Sequence, residues 1–265
     1  MKIFAARRPL IGMIHLPPLP GSPRARRPHE VLERAVADAR ALARGGADGL
    51  LLENFGDAPF APGEVEPHVP ALLAVAALEA RRATGLPVGV NVLRNDAQAA
   101  LAAALASGAD FIRVNVHVGT AFTDQGQIDG RAHETLRYRR SIGCRAAVFA
   151  DVWVKHARPA GGGDLTAAAR EVAYRGLADV LLVTGPETGA PPDPQQLSAV
   201  RRAVPDRPVY VASGVSPENV GRFREADGFI VGTALKRGGR TEGPVDPVRV
   251  RALARAIRGR RGAAP

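Results

Sequence analysis

One cysteine in 265 residues, Cys144, leaves no disulfide framework and no cysteine-built metal cluster. Aromatic residues make up 5% of the chain, too few to interleave with basic side chains as a nucleic-acid surface does. No apolar run approaches the ~18 residues that span a bilayer. Met1 to Pro9 also lacks the apolar core of a secretory leader. No Gly-x-Gly-x-x-Gly follows the first predicted strand, and no P-loop occurs anywhere, which argues against a dinucleotide or NTP site. These gaps lead us to expect a cytoplasmic protein with no transmembrane segment and no cofactor.

What is present is aliphatic and basic. Hydrophobic residues are 46% of the chain, and 36 Lys and Arg against 26 Asp and Glu give a net charge of +10. The arginines are scattered over helix-like stretches, and only Arg255 to Arg261 forms a dense run. That distribution reads as a solvated surface that attracts anionic small substrates, with no nucleic-acid partner. Peripheral contact with an anionic membrane stays compatible with it.

Strand-like and helix-like segments alternate eight times. The predicted strands are Leu10–His15, Gly49–Glu53, Val88–Val92, Phe111–His117, Ala146–Asp151, Val180–Val183, Val209–Ala212 and Phe229–Val231. Without a composition break between them, they predict a single (β/α)8 TIM barrel spanning 1–265, with a doubly wound sheet as the rival. Val118 to Gly130 reads as a long polar loop, and Leu165 to Arg175 as one helix. A homo-oligomer is expected, with the stiff segment Leu16 to Pro23 as a candidate contact.

The fourth strand organises the site. Ile112, Val114 and Val116 alternate with Arg113, Asn115 and His117, so one face of a buried strand is polar and must point into an enclosed, liganded space. At the carboxyl ends of the other strands stand His15, Glu53, Asn91, Asp151, Thr184 and Ser213, where a barrel places its chemistry. Glu53, His15, His117 and Asp151 are the candidate catalytic residues: imidazole titrates near neutrality, and the carboxylates can act as bases or neutralise Arg113. The alternative for either histidine is a hydrogen-bonded core residue. Asn91, Arg113, Asn115, Lys155, Thr184, Ser213, Gly214, Gly232 and Thr233 are candidate substrate-binding residues. Ser213-Gly214 precedes a predicted capped helix and Gly232-Thr233 follows the eighth strand, an arrangement that suits a phosphate. Lys155 could form a Schiff base if desolvated, but beside Gly161-Gly162-Gly163 it reads as solvated or paired with an anion. Metal ligation by His15, Glu53, His117 and Asp151 is conceivable, yet no ligand-spaced motif is present, so no metal is expected.

Several stretches together resemble the BtpA family: Gly12-Met13-Ile14-His15-Leu16-Pro17-Pro18-Leu19-Pro20-Gly21-Ser22-Pro23, Glu53 to Phe60, Gly89 to Asp96, Phe111 to His117, Asp124-Gln125-Gly126, Asp151 to His156 and Ser213-Gly214-Val215. The resemblance implies a ribulose-phosphate-binding type of barrel, similar to phosphoribosylanthranilate isomerase. It also implies a link to photosystem I biogenesis for the member that gives the family its name. Two functions follow as expectations: an isomerase or lyase acting by proton transfer on a phosphorylated sugar-like metabolite, or a non-catalytic assembly factor for a membrane complex.

Overall fold

The computed structural model describes residues 3–259, so Arg260 and Arg261 of the basic run lie outside the described residues. Eight parallel strands close into a barrel: β1 (Leu10–His15), β2 (Gly49–Glu53), β3 (Val88–Asn91), β4 (Phe111–Val114), β7 (Ala147–Asp151), β9 (Val180–Val183), β10 (Val209–Ala212) and β11 (Gly228–Val231). Every residue of these strands is buried, as a sheet covered on both faces requires.

Strand parity sorts the side chains into two cores. Leu10, Ile14, Leu50, Leu52, Val88, Val90, Ile112, Val114, Val148 and Ala150 face outward and pack under the helices. Ile11, Met13, Leu51, Phe111, Phe149, Leu182, Tyr210 and Ile230 fill the lower lumen. There Phe149 stacks on Phe111 at 4.4 Å between ring centroids and meets Tyr210 edge-on at 5.7 Å. The same inward parity carried one step further along the strands reaches His15, Glu53, Asn91, Arg113 and Asp151. An apolar plug therefore closes the lower barrel and a polar layer sits above it.

The outer helices are α1 (Pro28–Gly45), α2 (His68–Thr84), α3 (Ala97–Ser107), α4 (Ala132–Ser141), α5 (Leu165–Arg170), α6 (Pro194–Ala203) and α7 (Pro247–Arg258). Aspartates cap four of them: Asp96 accepts from Ala99 N–H, Asp164 from Thr166, Asp193 from Gln195 and Asp246 from Val248. Among the described residues no helix is long and apolar enough to cross a membrane.

Three features differ from the expectation. The polar loop after β4 contains a hairpin, β5 (Thr120–Thr123) and β6 (Gly126–Asp129), which turns at Gly126, φ 95°. A distant third strand, β8 (Ala157–Pro159), pairs antiparallel with β5 and builds a small sheet above the barrel. The fifth helix changes to a π-helical turn over Glu171–Arg175, and the helix expected after Ser216 shrinks to one 3-10 turn, Val220–Arg222.

Candidate active site at the carboxyl end of the barrel

The fourth strand ends at Val114 and the chain bends at Asn115 and Val116. Arg113 is therefore still inside the lumen, where its Nε and Nη2 donate to Asp151 Oδ2 and Oδ1 at 3.1 and 3.0 Å. Asn115 Nδ2 donates to the same carboxylate at 3.0 Å. The guanidinium is 3% exposed, and the carboxylate beside it holds its proton more firmly than free arginine despite the cost of burial.

His117 belongs elsewhere. Beyond the bend its ring packs against the end of the π-helical turn, where Nε2 donates to the Gly176 carbonyl at 2.8 Å. This corrects the expectation that His117 shares the lumen-facing row: strand alternation stops at Val114, so parity no longer dictates direction three residues later. Burial pushes its pKa down, which fits a neutral core imidazole. The four-residue metal set considered from sequence is thereby separated.

A second cluster forms across β1, β2 and β3. Asn91 Nδ2 donates to Glu53 Oε2 at 2.6 Å, and His15 Nε2 stands 4.0 Å from Glu53 Oε1. The Thr241 carbonyl, an acceptor only, lies 3.3 Å from His15 Nδ1 and so fixes the hydrogen there. Burial, with Lys236 and Lys155 nearby, lowers the His15 pKa well below the ordinary value. A neutral ring with a bare Nε2 results.

Above the β10 and β11 ends lies a cavity of about 310 Å³. His15, Arg113, Lys155, Ser213, Gly214, Gly232 and Thr233 all line it. Glu53 and Asn91 bond to each other, and Asp151 accepts from Arg113 of that lining and from Asn115; Asp151 and Asn115 themselves line a second cavity of about 250 Å³ with Val116 and Trp153. The loops have little room to change. A Cβ on Gly214, φ 62°, would collide with the Pro191 backbone, and one on Gly232 would lie 2.7 Å from His15 Cε1. Asn219 pins the first loop, donating to Gly214 O at 2.7 Å and accepting from Ser216 N–H at 2.9 Å. Among the described residues the Gly214 and Thr233 amides make no backbone hydrogen bond. Both loops are followed by single 3-10 turns rather than helices, so their anion-binding capacity rests on loop amides and hydroxyls.

Thr184 does not join this cavity. Its hydroxyl donates to the Trp153 carbonyl at 2.9 Å, and it lines a separate groove with Phe122 and His156. Sequence reasoning also missed contributors. Arg94 Nη2 donates to the Lys155 carbonyl at 2.7 Å, and the Thr188 loop lines the cavity beside Lys155. Neither pairing leaves a local sequence signal, because each joins segments brought together only by barrel closure.

The family model for the BtpA family matches residues 6–259. The chain belongs to the BtpA family. Photosystem I biogenesis protein BtpA from Synechocystis is 45% identical over 256 residues, covering 96% of this chain and 89% of that one. An uncharacterized protein from Thermococcus kodakarensis, TK2179, is 47% identical over 249 residues, covering 93% and 94%. Solved structures share the barrel at much lower identity. A native KDPGal structure superposes with TM-score 0.61 at 18% identity, covering 97% of each chain. N-(5'-phosphoribosyl)anthranilate isomerase from Pyrococcus furiosus gives 0.56 at 15%, covering 95% of this chain and all of that one. At those identities the likeness establishes the (β/α)8 fold of this BtpA-family chain and nothing finer.

Proposed function

We propose that the protein is an enzyme that binds a phosphorylated sugar-like metabolite and moves a proton on it, as an isomerase or a lyase. One observation carries this reading: the cavity over β10 and β11 puts loop amides and hydroxyls for an anion beside a neutral imidazole and a buried guanidinium. Barrels commonly hold phosphate at these two strand ends. Ser213, Gly214, Gly232 and Thr233 would hold the phosphate. His15 Nε2, unprotonated, would take the proton, and Glu53 behind it would stabilise the imidazolium that forms. Arg113, oriented by Asp151 and Asn115, would hold a substrate oxygen as negative charge develops on it.

The test is thermal unfolding with inorganic phosphate and with a panel of sugar phosphates. A ligand at 100-fold its Kd adds about 2.7 kcal/mol to stability, a rise of roughly 5–10 °C for a chain of this size. Gly232→Leu should abolish the rise by driving into the His15 ring. A flat response across the panel removes the reading.

The printed name of the Synechocystis relative supports a second reading, a non-catalytic assembly factor. Stoichiometric recovery of a membrane complex in pull-downs, with no phosphate response, would favour it.

A further inference from the structure

The chain carries 36 basic residues, and only Lys2, Lys155 and Lys236 are lysines; the other 33 are arginine. Guanidinium supplies nearly all of the positive charge, and the three ammonium groups are the exceptions. Arginine cannot be deprotonated in a protein, and lysine can. Lys2 lies outside the described residues. Lys236 has a structural role: fully buried, its Nζ donates to Asp38 Oδ2 at 3.3 Å, and Asp38 also accepts from Arg34 Nε at 3.0 Å and Val245 N–H at 2.8 Å.

Lys155 is different. Its side chain lines the cavity over β10 and β11 with His15, Arg113 and Gly232, and only its backbone carbonyl is engaged among the described hydrogen bonds and ion pairs. The charges around it are Glu53 and Asp151 against Arg113 and Arg94, and burial outweighs them to lower its pKa from the ordinary lysine value.

The backbone beneath Lys155 is fixed on both sides. Arg94 holds its carbonyl. His156 adopts a left-handed φ of 56°, its N–H donates to Pro186 O at 3.1 Å, and its Nε2 accepts from Thr188 N–H at 3.1 Å. Thr184 holds Trp153 O two residues earlier. A non-glycine residue in that conformation costs about 1 kcal/mol or more. Here the cost is met by bonds on both sides of Lys155, a residue that lines the cavity.

We propose that Lys155 is a nucleophile that captures the carbonyl carbon of a phosphorylated ketone or aldehyde as an imine. This rests on the phosphate reading of the same cavity. The neutral ε-amine adds to the carbonyl carbon while the C=O π pair moves to oxygen, which takes a proton. The carbinolamine then expels that oxygen as water as the nitrogen lone pair forms C=N. In sum, the lysine ammonium and the substrate carbonyl give a protonated imine and one water: two of the three ammonium hydrogens leave with the carbonyl oxygen, and the single positive charge stays on nitrogen. The iminium accepts the electron pair released when His15 Nε2 removes an adjacent C–H proton or when the adjacent C–C bond breaks. Hydrolysis reverses the capture and releases the product.

Two arms on the full-length protein test this. In the first, formaldehyde with cyanoborohydride methylates accessible neutral amines at about pH 7, and peptide mapping compares the lysines. Lys155 should react several-fold faster than Lys2, as expected for an amine whose pKa burial lowers from the ordinary lysine value, and inorganic phosphate should slow it. In the second, dihydroxyacetone phosphate or glyceraldehyde 3-phosphate with borohydride should add the probe mass less one oxygen at Lys155. The adduct should be absent in folded Lys155→Arg. Lys155 no more reactive than Lys2, or no adduct on a protein that phosphate stabilises, overturns the imine and leaves the phosphate reading standing. Labelling that phosphate does not slow, with no thermal response to phosphate, overturns both.

Discussion

Asp151 neutralises a guanidinium that is 3% exposed, accepting two bonds from Arg113 and one from Asn115. Removing one member of such a buried pair strands the other charge, which costs about 3–5 kcal/mol. Asp151→Ala should therefore lower the urea-unfolding free energy by that amount. An Arg113→Leu, Asp151→Leu double variant should lose less than the single one. Equal stability of Asp151→Ala and wild type would contradict the burial described. At this scale Arg113 was legible because alternation within a buried strand forces its direction. Asp151 and Glu53 were legible as strand-end carboxylates. His117 was misplaced because nothing in Val116-His117-Val118 announces that the strand has already ended. Lys155 was read as a solvated or anion-pairing substrate-binding residue because its glycine-rich neighbourhood conceals Arg94, Thr188 and the left-handed turn at His156.

Among the elements, the aspartate caps differ in how much they hold. Asp96 accepts from Ala99 N–H at 2.9 Å and also from Val65 N–H at 3.0 Å, so it ties α3 to the loop before α2. Asp164 serves only its own exposed turn, at Thr166. Losing an N-cap costs about 0.5–2 kcal/mol. Asp96→Ala should fall at the top of that range and Asp164→Ala at the bottom, compared by chemical unfolding. The reverse order would show that the Val65 contact contributes nothing. Asp96 was recognisable as a cap from Arg94-Asn95-Asp96 preceding an alanine-rich stretch. The strands β5, β6 and β8 were not, since each is three or four residues long and β8 pairs across more than thirty residues of intervening chain. Short strands of that kind carry almost no periodic signal.

For the molecule as a whole, two buried imidazoles set the response to acid. His15 and His117 both have pKa values lowered from 6.5, chiefly by burial. Below about pH 6.5 the unfolded chain takes up protons that the folded one refuses, so stability is full above that pH and declines as pH falls. Unfolding free energy at about pH 5.5 should lie roughly 1–3 kcal/mol under that at about pH 7.5, and His117→Gln should flatten the slope. A rise in stability on acidification would contradict neutral burial. The eightfold alternation made the closed barrel readable, because one repeated unit with covered strands has few other ways to pack. What it could not convey is the pairing of the loop after β4 with the loop after β7. Connections above a barrel ordinarily sway on their own. The β5–β8 ladder yokes these two, and Lys155 sits on the short neck that joins β7 to β8. A ligand that entered by lifting that yoke would draw Lys155 with it, so on the imine proposal admission and reactivity would turn on a common pivot.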